Sequence, residues 1–90
     1  MQTKHSEIGR ELRVSELQPR TIVVLQKVGS RKAATMWVEE VFPEFVIFSM
    51  GAADMHFVQH FLAQRTGHNL EQITDDTGRE LHIHEYLGEP

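Results

Sequence analysis

Cysteine is absent from this chain, so neither a disulfide nor a thiolate metal ligand can supplement its core. Long apolar runs are also missing. The longest, at 22–25 and 45–48, fall far short of the roughly 20 residues that span a bilayer. Residues 1–7 are polar, with no apolar stretch suited to a signal peptide. The expectation is a soluble, cytoplasmic protein. Basic residues are few: nine Lys and Arg stand against thirteen Asp and Glu, for a net charge of −4. They are also scattered, with only Arg31 and Lys32 adjacent. Phosphate-backbone binding depends on clustered cations that release counterions, so generic nucleic-acid affinity is not expected of this acidic chain.

Catalytic signatures are equally scarce. Ser6, Ser15, Ser30 and Ser49 lie in no nucleophile-elbow or triad-like context. Gly29-Ser30-Arg31-Lys32 lacks the spacing of a phosphate-binding loop. These absences point to a non-enzymatic protein without a cofactor.

What is present is β-structure. The run 22–28 is rich in β-branched residues and ends at Gly29-Ser30; 35–41 follows and ends at Phe42-Pro43-Glu44; then comes 45–48. Strands this close together pair only as antiparallel hairpins, because a parallel crossover needs a dozen or more residues. In the first run Val23 and Leu25 share one face, with Ile22, Val24 and Val28 on the other, as suits a central strand. In the second, Met36 and Val38 oppose Thr35, Trp37 and Glu39. A bulge at Glu39-Glu40 would return Val41 to the inside, which is how small sheets bend into barrels.

Upstream, residues 1–10 read as a flexible terminus, and 11–90 as one small β-rich domain. Leu12, Val14 and Leu17 suit either a short first strand or a helical turn on the barrel mouth. The segment 54–65 admits two readings. On a helix, Met55, Phe57, Val58, Phe61 and Leu62 share an arc. As a strand it extends the meander, and that reading is adopted. Residues 71–74 and 79–87 form a final hairpin around Gly78, with Leu81, Ile83 and Leu87 facing the core and Glu80, His82, His84 and Tyr86 opposite. The expected fold is therefore mainly β: a small antiparallel barrel or rolled meander of five to six strands. The alternative is an α+β roll with a helix at about 54–65. In strand count and spacing the chain resembles Src-homology-like and Tudor-like barrels.

Three constellations bear on chemistry. Asp76-Thr77-Gly78 matches the triplet that carries the aspartic-protease carboxylate. Its charged flanks, Asp75 before and Arg79-Glu80 after, are wrong for a screened dyad, and an acidic hairpin turn is the better reading. The chain holds six histidines, whose full protonation would carry the net charge from −4 to +2. His82 and His84 share a strand face, and His56 and His60 supply a second pair, so zinc binding through these residues is the alternative reading. A His-x-His pair also occurs in cupins, whose downstream glutamate and glycine spacing is missing here. Finally, Trp37, Glu39, His84 and Tyr86 suit an aromatic and acidic protein-binding surface, although Trp37, the only tryptophan, suits closing one end of the thin core at least as well.

The functional expectation is a small protein-interaction module, of the kind found among phage and bacterial accessory or regulatory proteins that bind and inhibit another protein. A single-stranded nucleic-acid-binding barrel is the further alternative. An incompletely closed meander would leave a strand edge, through which a homodimer is the expected association.

Overall fold

The computed structural model describes residues 5–50 and 59–88. Its strands are β1 (Ile8–Leu12), β2 (Ile22–Lys27), β3 (Ala33–Val41), β4 (Phe45–Met50), β5 (Gln59–Thr66), β6 (Gln72–Thr74) and β7 (Glu80–Tyr86). All their pairings are antiparallel. The order β1-β7-β2-β3-β4-β5-β6, with a further β7–β6 pairing, closes a ring from β7 round to β6. The expected small antiparallel barrel is what the chain forms, with β1 added outside the ring.

β7 makes the closure work. Leu25 and Leu12 both pair with Ile83, so β2 and β1 lie on opposite edges of β7. Leu81 pairs with both Lys27 and Ile73, which puts β6 on the same edge as β1. β1 and β6 thus share one edge end to end. Between them the chain turns through a 3-10 segment, Val14–Glu16. The Val14 amide donates to the Glu71 carbonyl at 3.0 Å and the Ser15 amide to the Glu71 carboxylate at 2.9 Å. This docking carries Val14 and Leu17 into the core. The region around residues 12–17 therefore supplies both a strand and a helical turn.

Alternation of side chains along the strands places Val23, Leu25, Val38, Val46, Phe48, Ala63, Ile73, Leu81 and Ile83 inside. Phe48, Ile73, Val38 and Val46 are fully buried, and each such side chain contributes about 1.5–3 kcal/mol by leaving water. The β3–β4 register shifts between Val38 and Glu40, and Val41 then pairs with Val46 on the inner face. The expected bulge is present. Turn chemistry agrees with geometry at Gly78, whose φ of +84° is costly for residues with a β-carbon.

Three expectations need adjustment. Leu87 does not reach the core; it follows the last residue of β7 and is 62% exposed. β1 begins at Ile8, inside the segment 1–10 read as a flexible terminus. Residues 59–66 are strand, so the helix at about 54–65 does not form over that part, and 54–58 lie outside the described residues. Cross-strand pairing with β4 decides this, since His, Phe and Val are mediocre helix formers and Phe61 gains a place beside Phe48.

Candidate functional site

The outer face of the barrel carries the candidate surface. Antiparallel register aligns Ile22 with Trp37, Trp37 with Ser49, and Ser49 with His60, so one row crosses β2, β3, β4 and β5. The neighbouring row runs Glu40, Ile47, Leu62 across β3, β4 and β5. Residues directly opposite on adjacent strands lie about 5 Å apart, so these two rows form a continuous patch. Trp37 is 39% exposed and Leu62 45% exposed. Both rings and branches remain in water although the barrel interior is filled by other side chains.

The bulge gives the patch its charge. Strict alternation would send Glu40 inward after Glu39; the extra residue leaves both carboxylates outside. Glu39 is held by the Ser49 hydroxyl, which donates to its Oε1 at 2.7 Å. Ser49 itself is only 4% exposed and forms the floor beneath this contact. Glu39, Glu40, Ile47, His60 and Leu62 line an open concavity of about 390 Å³. Its base is apolar, its wall is acidic, and among the described residues no Lys or Arg belongs to the lining.

Of the residues singled out from sequence, Trp37 and Glu39 lie on this patch. His84 and Tyr86 lie on the same outer face but one strand beyond β2. Val24 separates His84 from Thr35 of β3 in one row, and the register carries Tyr86 opposite Ile22 in the next. The Tyr86 ring folds over Gly88, where a β-carbon would collide with it. Tyr86 also pairs with Ile8 of β1. His84 and Tyr86 therefore border the patch rather than build it.

The histidines divide into separate places. His82 and His84 stand with ring centroids 6.2 Å apart, and His82 Nδ1 lies 3.3 Å from Glu11 of β1. His84 Nε2 is buried without a hydrogen-bond partner among the described residues. His60 sits on β5, reached from β7 across β2, β3 and β4 on this face, or across β6 on the other side of the ring. His56 lies outside the described residues. Among the described residues no group of three or more His, Asp or Glu side chains is gathered for a metal ion. No helix among them is long and apolar enough to cross a membrane.

Ile47, Leu62 and His60 do not stand out in the sequence as surface neighbours of Trp37, whereas Glu40 belongs with Glu39 and Glu44 to a solvated acidic cluster around the second turn. The signal for Glu40 was the bulge. Ile47 sits in a run apolar on both faces, and Leu62 in the apolar triplet 61–63 that suits a helical arc as well as a strand, so neither is marked as wet by the sequence. No family model, no curated protein and no solved structure matches this chain.

Proposed function

We propose that this protein is a non-enzymatic interaction module, an accessory protein that acts by occupying another protein through the outer face of β3, β4 and β5. The observation that carries the reading is the exposure of Trp37 and Leu62 on a face whose barrel already has a full core. Large side chains left in water beside fixed polar groups are the usual anchors of protein interfaces.

Strand addition is the less favoured mode. Ring closure removes sheet edges from β2 to β5, and the strand added outside the ring is short, carrying Arg10 and Glu11. A side-chain face remains. This also argues against an edge-to-edge homodimer, since charged, short edge strands resist such pairing. For single-stranded nucleic acid, Trp37 would offer a stacking platform, but Glu39 and Glu40 beside it repel phosphate.

The test is affinity capture from the native host with the wild-type chain and a Trp37→Ala/Leu62→Ala double variant, read by quantitative mass spectrometry. The expected result is a stoichiometric partner retained by the wild type and lost by a folded double variant. Equal capture by both would remove this face from the function. Tightly held zinc in untagged protein, with a melting midpoint that falls on chelation, would favour the histidine-based reading instead.

A further inference from the structure

We infer that the segment this face receives is positively charged, with an apolar side chain seated on Ile47 and Leu62 and an adjacent Lys or Arg reaching Glu39 and Glu40. The inference rests on the interaction-module reading and specifies its partner's chemistry.

Charge and geometry point the same way. Both carboxylates stand on one side of the concavity because the bulge turns them out together. Glu39 is oriented by Ser49 through Oε1, and among the described residues its other oxygen is left for an incoming donor. An oriented carboxylate loses less side-chain freedom on pairing, which favours charge-assisted hydrogen bonds from a guanidinium or ammonium group. The apolar base supplies the complementary requirement. Ile47 and Leu62 are direct cross-strand partners, and Trp37 closes the adjoining row. Three strands are spanned in roughly 10 Å, the length of about three extended residues. The segment recognised is thus a short one, with its cation within two residues of its apolar anchor.

Competing occupants fit less well. A second copy docked face to face about a two-fold axis through the concavity would bring Glu39 and Glu40 close to their own counterparts, with no basic side chain among the described lining residues to offset them. Nucleic acids and anionic lipid surfaces meet the same repulsion. Among the described lining residues, His60 is the side chain able to carry positive charge.

Selection of a phage-displayed library of random seven-residue peptides on the full chain tests the inference. Enriched peptides should carry Lys or Arg within two positions of Leu, Ile, Phe or Trp. Their affinity should fall about tenfold on a Glu39→Gln/Glu40→Gln variant and decline with added salt, as expected for two exposed ion pairs. Glutamine at 39 keeps an acceptor for Ser49, so an unchanged melting temperature certifies the fold. Enrichment of neutral or acidic peptides, affinity indifferent to the double glutamine variant, or no enrichment would each overturn the inference. Neutral peptides that require Trp37 and Leu62 would do so while leaving the interaction-module reading standing. That reading fails separately, when capture from the host ignores those two residues.

Discussion

Asp75 holds Thr77 through a single carboxylate oxygen: Oδ1 accepts from the Thr77 amide at 2.9 Å and from its hydroxyl at 2.6 Å. The same oxygen accepts from the Arg79 amide at 2.9 Å, and Lys27 Nζ lies 3.8 Å from Oδ2. Asp75 is buried, whereas Asp76 is exposed. The acidic hairpin turn expected at the Asp-Thr-Gly triplet is present, and its organising carboxylate is the residue before the triplet. That carboxylate serves as an acceptor for the turn.

These bonds, led by the Thr77 hydroxyl and the Arg79 amide, hold the Asp75 carboxyl below its usual range. Glu16, bonded first to Arg10, and Glu71, bonded first to the Ser15 amide, move the same way. A depressed folded value adds stability that is fully present above the unfolded pKa near 4 and is lost as pH falls through the folded value. The stability these three carboxylates contribute should therefore be lost on the acid side, with the melting temperature declining below about pH 4.5. Asp75→Asn keeps an acceptor but takes up no proton, so its acid-side decline should be shallower. Identical acid-side slopes for the two proteins, followed by circular dichroism melts, would refute the assignment.

Arg20 occupies a left-handed conformation, with φ at +67°, directly after Pro19. Its amide donates to the Val38 carbonyl at 2.8 Å, so the turn is tied to β3 and cannot relax. Arg20→Gly should relieve the strain and raise stability by about 0.5–1 kcal/mol, after allowance for the larger unfolded-state entropy of glycine. Denaturant midpoints would measure it. A loss of stability would place a needed contact on the arginine side chain.

Arg65 joins two loops that are distant in sequence. Its Nη1 donates to the Phe42 carbonyl at 2.7 Å and its Nε to the Leu70 carbonyl at 3.0 Å. Removal by Arg65→Ala should cost about 2–3 kcal/mol, the range for losing charge-assisted bonds to backbone. Lysine should recover less than half, because a single ammonium lacks the planar fork that reaches both carbonyls. Hydrogen exchange should quicken at 42–45 and 67–71 before the rest of the barrel. Uniform quickening would contradict the clasp.

Phe48 and Leu62 supply a paired test of inside and outside. Phe48 is fully buried and contacts Phe61, whereas Leu62 is 45% exposed on the next residue of the same strand as Phe61. Phe48→Ala should cost about 3–5 kcal/mol and leave the chain largely unfolded at moderate temperature. Leu62→Ala should change stability by less than about 0.5 kcal/mol. Comparable losses at both positions would mean that Leu62 belongs to the core.

Much of this architecture is legible locally. The runs at 22–28, 35–41 and 45–48 carry their own turn residues, and the bulge follows from two glutamates in succession before Val41. Gly78 likewise announces its hairpin. Residues 59–66 are harder, because Phe61 and Leu62 suit a helical arc as well as a strand, and only pairing with β4 selects between them. Leu87 misleads for a related reason: its spacing continues the alternation of Leu81 and Ile83, but β7 stops at Tyr86. The candidate surface is half legible. Trp37 and Glu39 stand out by residue type, while Ile47 and Leu62 resemble core residues until the barrel closes with them outside.

Side-chain alternation and turn chemistry act over a few residues, so the amino-acid sequence alone determines that this chain forms antiparallel hairpins, bends at Glu39-Glu40 and carries no thiol chemistry. Tertiary structure decides what depends on strands far apart in the chain. β7 pairs with β1, β2 and β6 at once, and that meeting closes the ring, buries Val14 beneath Glu71, and brings Trp37, Glu39, Ile47 and Leu62 onto one face. Closure is a property of all the strands together: the side each apolar residue occupies is set by which partner edge it meets, and no local stretch encodes that.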